Sequence, residues 1–235
     1  ECVLREDDMA TEVTWLGHGS FQLKTQDLTI LIDPFLTDQP TASCKADDLA
    51  ADFILVSHGH ADHVGDTVSI AKRTGATVIT NYEIADWFQK QGLENIHAQH
   101  IGGSFSHPFG KVKFTIAHHG SGLPDGSNGG NPCGFLFYLE DGKIYHAADT
   151  GLFYDMKLIG EEGIDLALLP IGDNFTMGPA DALKAVKLLE PKKVVPMHYN
   201  TWPVIEQNPQ RFADDVRGET NCWPIILKPG QSCGF

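Results

Sequence analysis

Short apolar runs, each bounded by glycine, proline, asparagine or aspartate, set the pattern of the first third of the chain. Residues 12–16, 21–24 and 28–32 have the composition of strands that follow one another through tight turns. Residues 53–56 form a continuous apolar run, which is typical of a strand buried on both faces. The pattern therefore predicts a meander of strands that leads into a sheet with a buried centre.

Helical spacing then alternates with further strands. Residues 63–73 have helical spacing, and so does the segment behind Asn81, a residue suited to an N-cap. The clearest helix spans 179–190, with proline at its first position and proline after its end, and a shorter helix starts at Asn208-Pro209. Further strands are predicted at 77–80, 111–116, 135–139, 143–146, 166–169 and 194–195. This alternation predicts an α/β layered fold with helices on the outside.

Composition and charge narrow the functions open to such a fold. Apolar residues make up 42% of the chain and charged residues 20%, as in an ordinary globular domain. The 31 acidic residues outnumber the 17 basic residues and give a formal net charge of -14. Because such a field repels phosphate backbones, we expect no nucleic-acid partner.

Cysteine usage and the N-terminal segment bear on the compartment. The five cysteines are scattered, odd in number and without a Cys-x-x-Cys pair, which argues against a disulfide framework. No apolar run is long enough for a membrane span, and residues 1–10 are acidic, unlike a secretory signal. We therefore expect a cytoplasmic protein in which residues 1–10 are an N-terminal extension, disordered or foreign to the natural chain, and residues 11–235 form a single domain.

Metal-binding chemistry is concentrated directly after the run at 53–56. The segment 57–63, Ser-His-Gly-His-Ala-Asp-His, holds three imidazoles and a carboxylate. An isolated histidine is usually structural, but that explanation does not account for a cluster of this density. In an extended loop, residues two apart point the same way, so His58 and His60 can hold one cation while Asp62 and His63 turn toward a second. One segment thus predicts two metal positions.

Further ligands must come from elsewhere, because a catalytic zinc ion takes three protein ligands and keeps one position open. Each candidate follows a predicted strand: His118 or His119, Asp149, and His198. Ligand sites gather at the carboxyl ends of strands in open parallel sheets, and by analogy these positions are expected to converge.

The spacing H-x-H-x-D-H, met by His58, His60, Asp62 and His63, resembles the hallmark of the metallo-β-lactamase superfamily. Four further segments are similar to the bacterial metal-dependent hydrolases grouped with ascorbate-6-phosphate lactonase (UPF0173): Trp-Leu-Gly-His at 15–18, Asp-Pro-Phe at 33–35, Tyr-His-Ala-Ala-Asp-Thr-Gly at 145–151 and Pro-Met-His-Tyr at 196–199. The N-acyl phosphatidylethanolamine phospholipases share some of these signatures. The resemblance covers 13–229 and implies an α/β fold, a four-layer αββα sandwich of two mixed sheets with helices on the outer faces.

The resemblance also implies a set of metal ligands. The first metal ion would bind His58, His60 and His119, the second would bind Asp62, His63 and His198, and Asp149 would bridge them. His118 is the alternative to His119, although the superfamily's ligand directly precedes Gly-Ser, which favours His119. Ala148 stands where related chains more often have glycine, so the backbone geometry at Asp149 is the point that this departure puts in question.

A function follows from these expectations. Two divalent cations, zinc by default with manganese, iron or nickel as alternatives, would make a metal-bound hydroxide available near neutral pH. We expect a metal-dependent hydrolase that cleaves a small-molecule ester, foremost a lactone, with a small or lipid-derived phosphodiester as the alternative. Asp62 is the expected catalytic residue, which orients the hydroxide or carries its proton. His18, Asp33 and Asn174 are expected to support the ligands or to contact substrate, and the resemblance implies a homo-oligomer.

Two other classes of function stay open at the level of sequence. Related di-iron redox proteins usually have glutamate where this chain has His60, and they need a flavin partner domain. A non-catalytic metal-binding module would be expected to have lost ligands, whereas this chain retains the full set.

The remaining candidates are weaker. His97, His100 and His107 lack the spacing of metal ligands, and His146 is expected to pack in the core. The glycine-rich segment 120–134 is expected to be a functional loop.

Overall fold

The computed structural model describes residues 11–234, which form two seven-stranded sheets. In spatial order, the strands of the first sheet, numbered along the chain, are Ser232–Cys233 (β14), Glu12–Gly17 (β1), Ser20–Thr25 (β2), Leu28–Ile32 (β3), Phe53–Leu55 (β4), Thr77–Thr80 (β5) and Ile96–Ala98 (β6). Those of the second sheet are Trp223–Pro224 (β13), Lys193–Met197 (β12), Leu166–Pro170 (β11), Lys143–His146 (β10), Cys133–Tyr138 (β9), Gly110–Ile116 (β8) and Ser104–His107 (β7).

Both sheets are mixed and follow the same plan. From β14 to β3 the neighbouring strands of the first sheet are antiparallel, and from β3 to β6 they are parallel. In the second sheet the pairings from β7 to β10 are antiparallel, and those from β10 to β13 are parallel. Each sheet is thus a meander that continues into parallel crossover units.

Helices connect the parallel strands. They are Ala61–Val64 (α1), Thr67–Thr74 (α2), Tyr82–Lys90 (α3), Met156–Gly160 (α4), Pro179–Leu189 (α5) and Pro209–Glu219 (α6), with short 3-10 helices at Ala46–Asp48 and Pro203–Ile205. Two helices begin at the predicted caps. The Asn81 side chain accepts a hydrogen bond from the Ile84 amide, and the Asn208 side chain accepts two from the first turn of α6.

The side-chain alternation of the central strands separates two hydrophobic cores. Ile32 and Leu55 pack with residues of the second sheet in one cluster. Leu31 and Ile54, one position away, pack with residues of α2 and α3 in the other cluster. Apolar residues of α5 and α6 join the first cluster from the far side of the second sheet. The layers are therefore helix, sheet, sheet and helix, which confirms the predicted αββα sandwich.

The prediction of one helix over 63–73 is wrong, because the helical segment starts earlier and is interrupted. The chain forms a single helical turn, α1, and then breaks at Gly65, which has a φ of 34°. The Asp66 carboxylate accepts hydrogen bonds from the Leu36 and Thr37 amides at 2.8 and 2.9 Å. These bonds attach the break to a neighbouring loop, and α2 begins only after them.

The edges of the sheets also differ from the predicted pattern. The strands β6, β7, β13 and β14 and the helix α4 were not predicted. β7 has one large apolar residue and is mostly exposed, and β13 and β14 have two residues each, so these strands lack the buried apolar pattern that marks a strand.

The expected N-terminal extension and the expected single domain concern the chain as a whole. The extension expected over 1–10 lies outside the described residues, and the single domain expected over 11–235 stays a prediction. Within residues 11–234, no helix has the length and apolar character needed to span a bilayer.

Candidate metal centre

Histidine and aspartate side chains from four strand ends converge at one end of the sandwich. His58 follows β4 in the first sheet, and His119, Asp149 and His198 follow β8, β10 and β12 in the second. The short helix α1 places Asp62 and His63 beside them. The carboxyl ends of parallel strands meet at one edge, which brings residues far apart in sequence together.

Three imidazoles form a first set of potential ligands. His58 Nε2 lies 3.0 Å from His60 Nδ1. The ring of His119 lies 5.1 Å from that of His58 and 4.9 Å from that of His60, measured between centroids. One nitrogen from each residue lies within 4.8 Å of the other two, a spacing that suits ligands of one cation.

A second set lies directly beside the first. Asp62 Oδ2 is 3.8 Å from His63 Nε2 and 4.0 Å from His198 Nε2. His18 joins this set, because its Nε2 lies 3.0 Å from the same oxygen of Asp62.

Asp149 reaches both sets with one carboxylate oxygen. Its Oδ2 lies 3.4 Å from His63 Nε2 and 3.0 Å from His198 Nε2 in the second set, and 3.5 Å from His119 Nε2 in the first. Ala148 has a φ of 56°, a left-handed conformation that glycine adopts more easily. Ala148 takes up this conformation even though related chains more often have glycine there, and Asp149 lies within reach of both sets.

Orphaned polar atoms show that the cluster fits a metal ion. His63 Nε2, His198 Nε2 and Asp149 Oδ1 are buried and have no hydrogen-bond partner among the described residues. Buried polar atoms are normally satisfied, and leaving them without a partner is costly. Imidazole nitrogen and carboxylate oxygen are ligands of zinc and related divalent cations, so a bound cation would satisfy these atoms.

Asp33 and Ser57 fix the orientation of two of the imidazoles. Asp33 Oδ2 accepts hydrogen bonds from His63 Nδ1 at 2.8 Å and from Ser57 Oγ at 2.5 Å. Since the Ser57 hydroxyl donates to Asp33, it accepts from His58 Nδ1 at 2.9 Å. Nδ1 is the donor in both bonds, so each ring turns its Nε2 toward the cluster.

His18 fixes Asp62 in the same way from the other side. Burial, together with the charge of His198, lowers the pKa of His18 to about 4, so the ring is neutral at pH 7. Its Nε2–H donates to Asp62 Oδ2 at 3.0 Å, and Thr201 Oγ donates to Nδ1 at 2.8 Å. Thr201 and Ser57 were not singled out by sequence reasoning, although each lies within three residues of a predicted ligand.

The buried charges compensate one another. Burial opposes protonation of His63, yet Asp149, Asp33 and Asp62 together hold its pKa well above the usual value. Burial likewise disfavours the charge of Asp149, but His198 and His63 hold the pKa of that carboxyl well below its usual range. A cation bound at His63 Nε2 would take the place of a proton there, because imidazole binds metal ions through a deprotonated nitrogen.

The other predicted residues lie outside the cluster. His118 is exposed, and its ring stacks on Phe153 with centroids 4.9 Å apart, whereas His119 points inward. Asn174 is exposed, and its amide donates to its neighbour Asp173. His146 is fully buried, with Nε2 3.2 Å from the Gly19 carbonyl oxygen, so it belongs to the core as expected.

The glycine-rich segment 120–134 supports the histidine loop from behind. The Ser121 hydroxyl accepts a hydrogen bond from the Gly59 amide at 3.0 Å, and the Ser57 carbonyl oxygen accepts one from the Cys133 amide at 3.1 Å. A Cβ at Gly129 would lie 2.6 Å from Ser121 Oγ, which explains the glycine there. The segment therefore holds the backbone between His58 and His60 in place.

A cavity of about 620 Å³ opens over the cluster. Its lining consists of His60, Asp62, His119, Asp149 and His198 together with Phe35, Ala61, Phe175, Trp202 and Val204. The cavity is large enough for a small-molecule ligand. Phe175 and Val204 were not predicted from the sequence, because single exposed apolar residues carry no distinguishing signal.

The chain is similar to known metal-dependent hydrolases over almost its whole length. The family model described as a β-lactamase superfamily domain matches residues 29–199. A UPF0173 metal-dependent hydrolase of Pelotomaculum thermopropionicum is 52% identical over 226 residues, which are 94% of this chain and 98% of the relative. A UPF0173 metal-dependent hydrolase of Bacillus cereus is 52% identical over 227 residues, again 94% of this chain and 98% of the relative.

A solved structure agrees with these matches. Igni18, a metallo hydrolase of the archaeon Ignicoccus hospitalis, has a TM-score of 0.89 and 34% identity, and the match covers 97% of this chain and 99% of Igni18.

Proposed function

This chain belongs to the metallo-β-lactamase superfamily and is a metal-dependent hydrolase, and from that premise we propose that it holds two divalent cations, zinc by default, and cleaves a lactone. The observation that carries the proposal is the position of Asp149, whose Oδ2 lies within 3.5 Å of histidines from both ligand sets. A carboxylate shared between two adjacent ligand sets suits two neighbouring cations.

Each ligand has a role in this proposal. His58, His60 and His119 would hold one cation, Asp62, His63 and His198 would hold the other, and Asp149 would serve both. When bound, the cations supply a water of lowered pKa and an electrophilic centre for the acyl oxygen of the substrate. The manganese, iron and nickel forms are alternatives that the same donor set accepts.

Asp62 is the proposed proton carrier. Its Oδ2 is fixed by His18, and within residues 11–234 its Oδ1 has no hydrogen-bond partner, while the side chain remains 25% exposed at the cavity. Oδ1 can therefore accept a proton from the attacking water and deliver it to the alkoxide that leaves when the lactone opens. Neutral His18 and Thr201 keep the carboxylate in position during this transfer.

The choice of a lactone rests on similarity to the hydrolases grouped with the lactonase, and the phosphodiester is the alternative. The test compares hydrolysis of a simple lactone and of a bis-aryl phosphodiester by zinc-loaded protein. We expect metal-dependent turnover of the lactone at the higher rate, and full loss of activity after chelation.

In the same assay Asp62→Asn should lower kcat by about 100-fold or more, whereas Asp38→Asn, which changes an exposed aspartate, should not. Faster turnover of the phosphodiester would select the alternative, and no metal-dependent turnover of either substrate would refute the proposal.

Two properties of the whole protein belong to the proposal as well. Cys44, Cys133, Cys222 and Cys233 are free thiols, which supports a cytoplasmic location, because cytoplasmic thiols are kept reduced. A homo-oligomer without nucleic acid stays a prediction, which light scattering on the purified protein would test.

A further inference from the structure

Half of the cavity lining has no part in metal binding. It consists of Phe35, Ala61, Phe175, Trp202 and Val204, which we call the apolar wall. The metal cluster forms the other half. A substrate whose reacting group lies on the cluster must therefore lay the rest of its structure against the apolar wall.

The apolar wall is fixed relative to the metal centre. The Trp202 ring lies 4.8 Å from the ring of His18 and 6.3 Å from that of Phe35, measured between centroids. Its neighbour Thr201 bonds to His18, and His198 lies four residues earlier in the same segment. The position of Trp202 relative to the metal centre is thus set by its packing on His18 and Phe35.

Two members of the apolar wall are held out at the mouth of the cavity. Phe175 is 53% exposed and Val204 is 54% exposed. Phe175 lies at the tip of a turn closed by hydrogen bonds of 3.1 Å between the Asp173 amide and the Met177 carbonyl oxygen and between the Thr176 amide and the Asp173 carbonyl oxygen. Apolar side chains that continue a concave site into solvent gain free energy when an apolar ligand covers them.

The charges around the cavity disfavour an anionic group at this wall. No lysine or arginine in residues 11–234 lines the cavity, whereas Asp62 and Asp149 do. The chain also carries a formal charge of -14. A phosphate or carboxylate remote from the cations would lose hydration against the wall without gaining a partner.

Resting on the proposed function, we propose that the substrate class is an uncharged ester or lactone with an apolar tail, and that the apolar wall binds this tail. Phe175, Trp202 and Val204 are the residues that determine this specificity. Phosphorylated lactones and other substrates with a remote anionic group are excluded by the same wall.

The test uses three hydroxamates, whose common head binds metal ions and whose tails differ. Acetohydroxamate has almost no tail, octanohydroxamate has an apolar tail, and suberic monohydroxamate has a tail of equal length that ends in a carboxylate. Their dissociation constants for zinc-loaded protein are measured by calorimetry. We expect octanohydroxamate to bind at least about 30-fold more tightly than acetohydroxamate, because each buried methylene contributes up to about fourfold, and at least about tenfold more tightly than suberic monohydroxamate.

Variants locate the effect at the apolar wall. Phe175→Ala should weaken octanohydroxamate binding by about threefold or more and leave acetohydroxamate binding unchanged. Phe105→Ala is the matched control, because Phe105 is 49% exposed and lies on β7, away from the cavity lining. Val204→Lys, which adds a cation at the mouth, should reverse the preference toward suberic monohydroxamate.

The outcomes separate this inference from the proposed function. Equal affinities for the three tails, or tighter binding of the carboxylate tail by the wild-type protein, would overturn the apolar wall as a specificity element and leave the metal hydrolase intact. If none of the three compounds binds zinc-loaded protein and no lactone is hydrolysed, the proposed function falls and this inference falls with it.

Discussion

Four residues at the metal centre have a left-handed backbone conformation. His18, Asp33, Ala148 and His198 have φ values of 52°, 46°, 56° and 55°, and each lies within two residues of a strand end. This conformation costs about 1 kcal/mol or more for a residue with a side chain. It persists where the surrounding structure fixes it, as the hydrogen bond of 3.0 Å from the His198 amide to the His18 carbonyl oxygen does. The turn at each strand end directs the chain into the cluster.

At this scale the clearest prediction concerns Asp33, whose carboxylate accepts hydrogen bonds from Ser57 and from the proposed ligand His63. Asp33→Asn removes the charge that holds His63 Nδ1–H and the Ser57 hydroxyl. We expect the zinc affinity to fall by about 10- to 100-fold, as for other groups that orient metal ligands. Competition with a chromophoric chelator measures the zinc affinity. Asp38→Asn, which changes an exposed aspartate five residues after Asp33, is the control. Unchanged zinc affinity in Asp33→Asn would show that His63 keeps its orientation without this carboxylate.

Among the elements, the break between α1 and α2 determines where the histidine motif ends and the supporting helix begins. Gly65 is the residue that permits it. A Cβ there would meet the Pro34 carbonyl oxygen and would lie 2.8 Å from Phe35 Cα, and its φ is positive. The loop that carries Asp33 and Phe35 therefore packs directly on this glycine.

Gly65→Ala should lower the free energy of unfolding by about 3 kcal/mol, the sum of a left-handed alanine and a backbone clash. Gly75→Ala is a matched control, since Gly75 also has a positive φ but nothing within 4 Å of its Cβ position; it should cost about 1 kcal/mol. Urea unfolding measures both values. Equal losses of unfolding free energy in the two variants would mean that the loop moves aside and that the contact at Gly65 does not contribute to stability.

The sequence predicts some elements better than others, for physical reasons. Strands β3, β5 and β10 have the predicted bounds because their residues are apolar and turn residues flank them. The interruption of the helix at Gly65 could not be predicted, because it depends on tertiary bonds from Asp66 to a distant loop. The edge strand β7 is mostly exposed, so its position in the sheet comes from backbone pairing with β8 and not from a buried pattern of side chains.

The sequence also predicts some residues of the candidate site better than others. His58, His60, Asp62 and His63 are recognisable because they are contiguous, and His119 and His198 because each follows an apolar strand. The supporting hydroxyls of Ser57 and Thr201 and the exposed Phe175 and Val204 have no such signal, since their roles arise only from the packing of segments that are far apart in sequence.

On the scale of the whole molecule, the two sheets repeat one pairing plan, with three antiparallel pairings followed by three parallel ones. Each sheet contributes proposed metal ligands from the ends of its interior strands, so the cluster joins the two halves. The two sheets also meet at one edge, where β6 of the first sheet and β7 of the second bring His97 and His107 together, with ring centroids 4.9 Å apart.

His107 should make stability depend on pH. Burial, with a smaller effect of His97, lowers the pKa of half-buried His107 to about 4, below the value near 6.5 of an unfolded histidine. The unfolded chain then binds more protons, so the contribution of His107 is complete above about pH 6.5 and is lost as the pH falls toward 4.

Replacing His107 with glutamine should therefore reduce the loss of melting temperature between pH 7 and pH 5, whereas His100→Gln at an exposed position serves as the control. The histidines of the metal centre are common to both variants and cancel in the comparison. An identical pH dependence in the two variants would contradict this assignment.

The central claim is that one carboxylate joins two ligand sets into a centre for two cations. Plasma mass spectrometry on protein purified without chelator, with zinc added back and excess removed, tests it most directly. The account predicts about two equivalents of metal per chain in the wild type and about one or fewer in Asp149→Asn. About one equivalent or less in the wild type after zinc is added back would contradict the account.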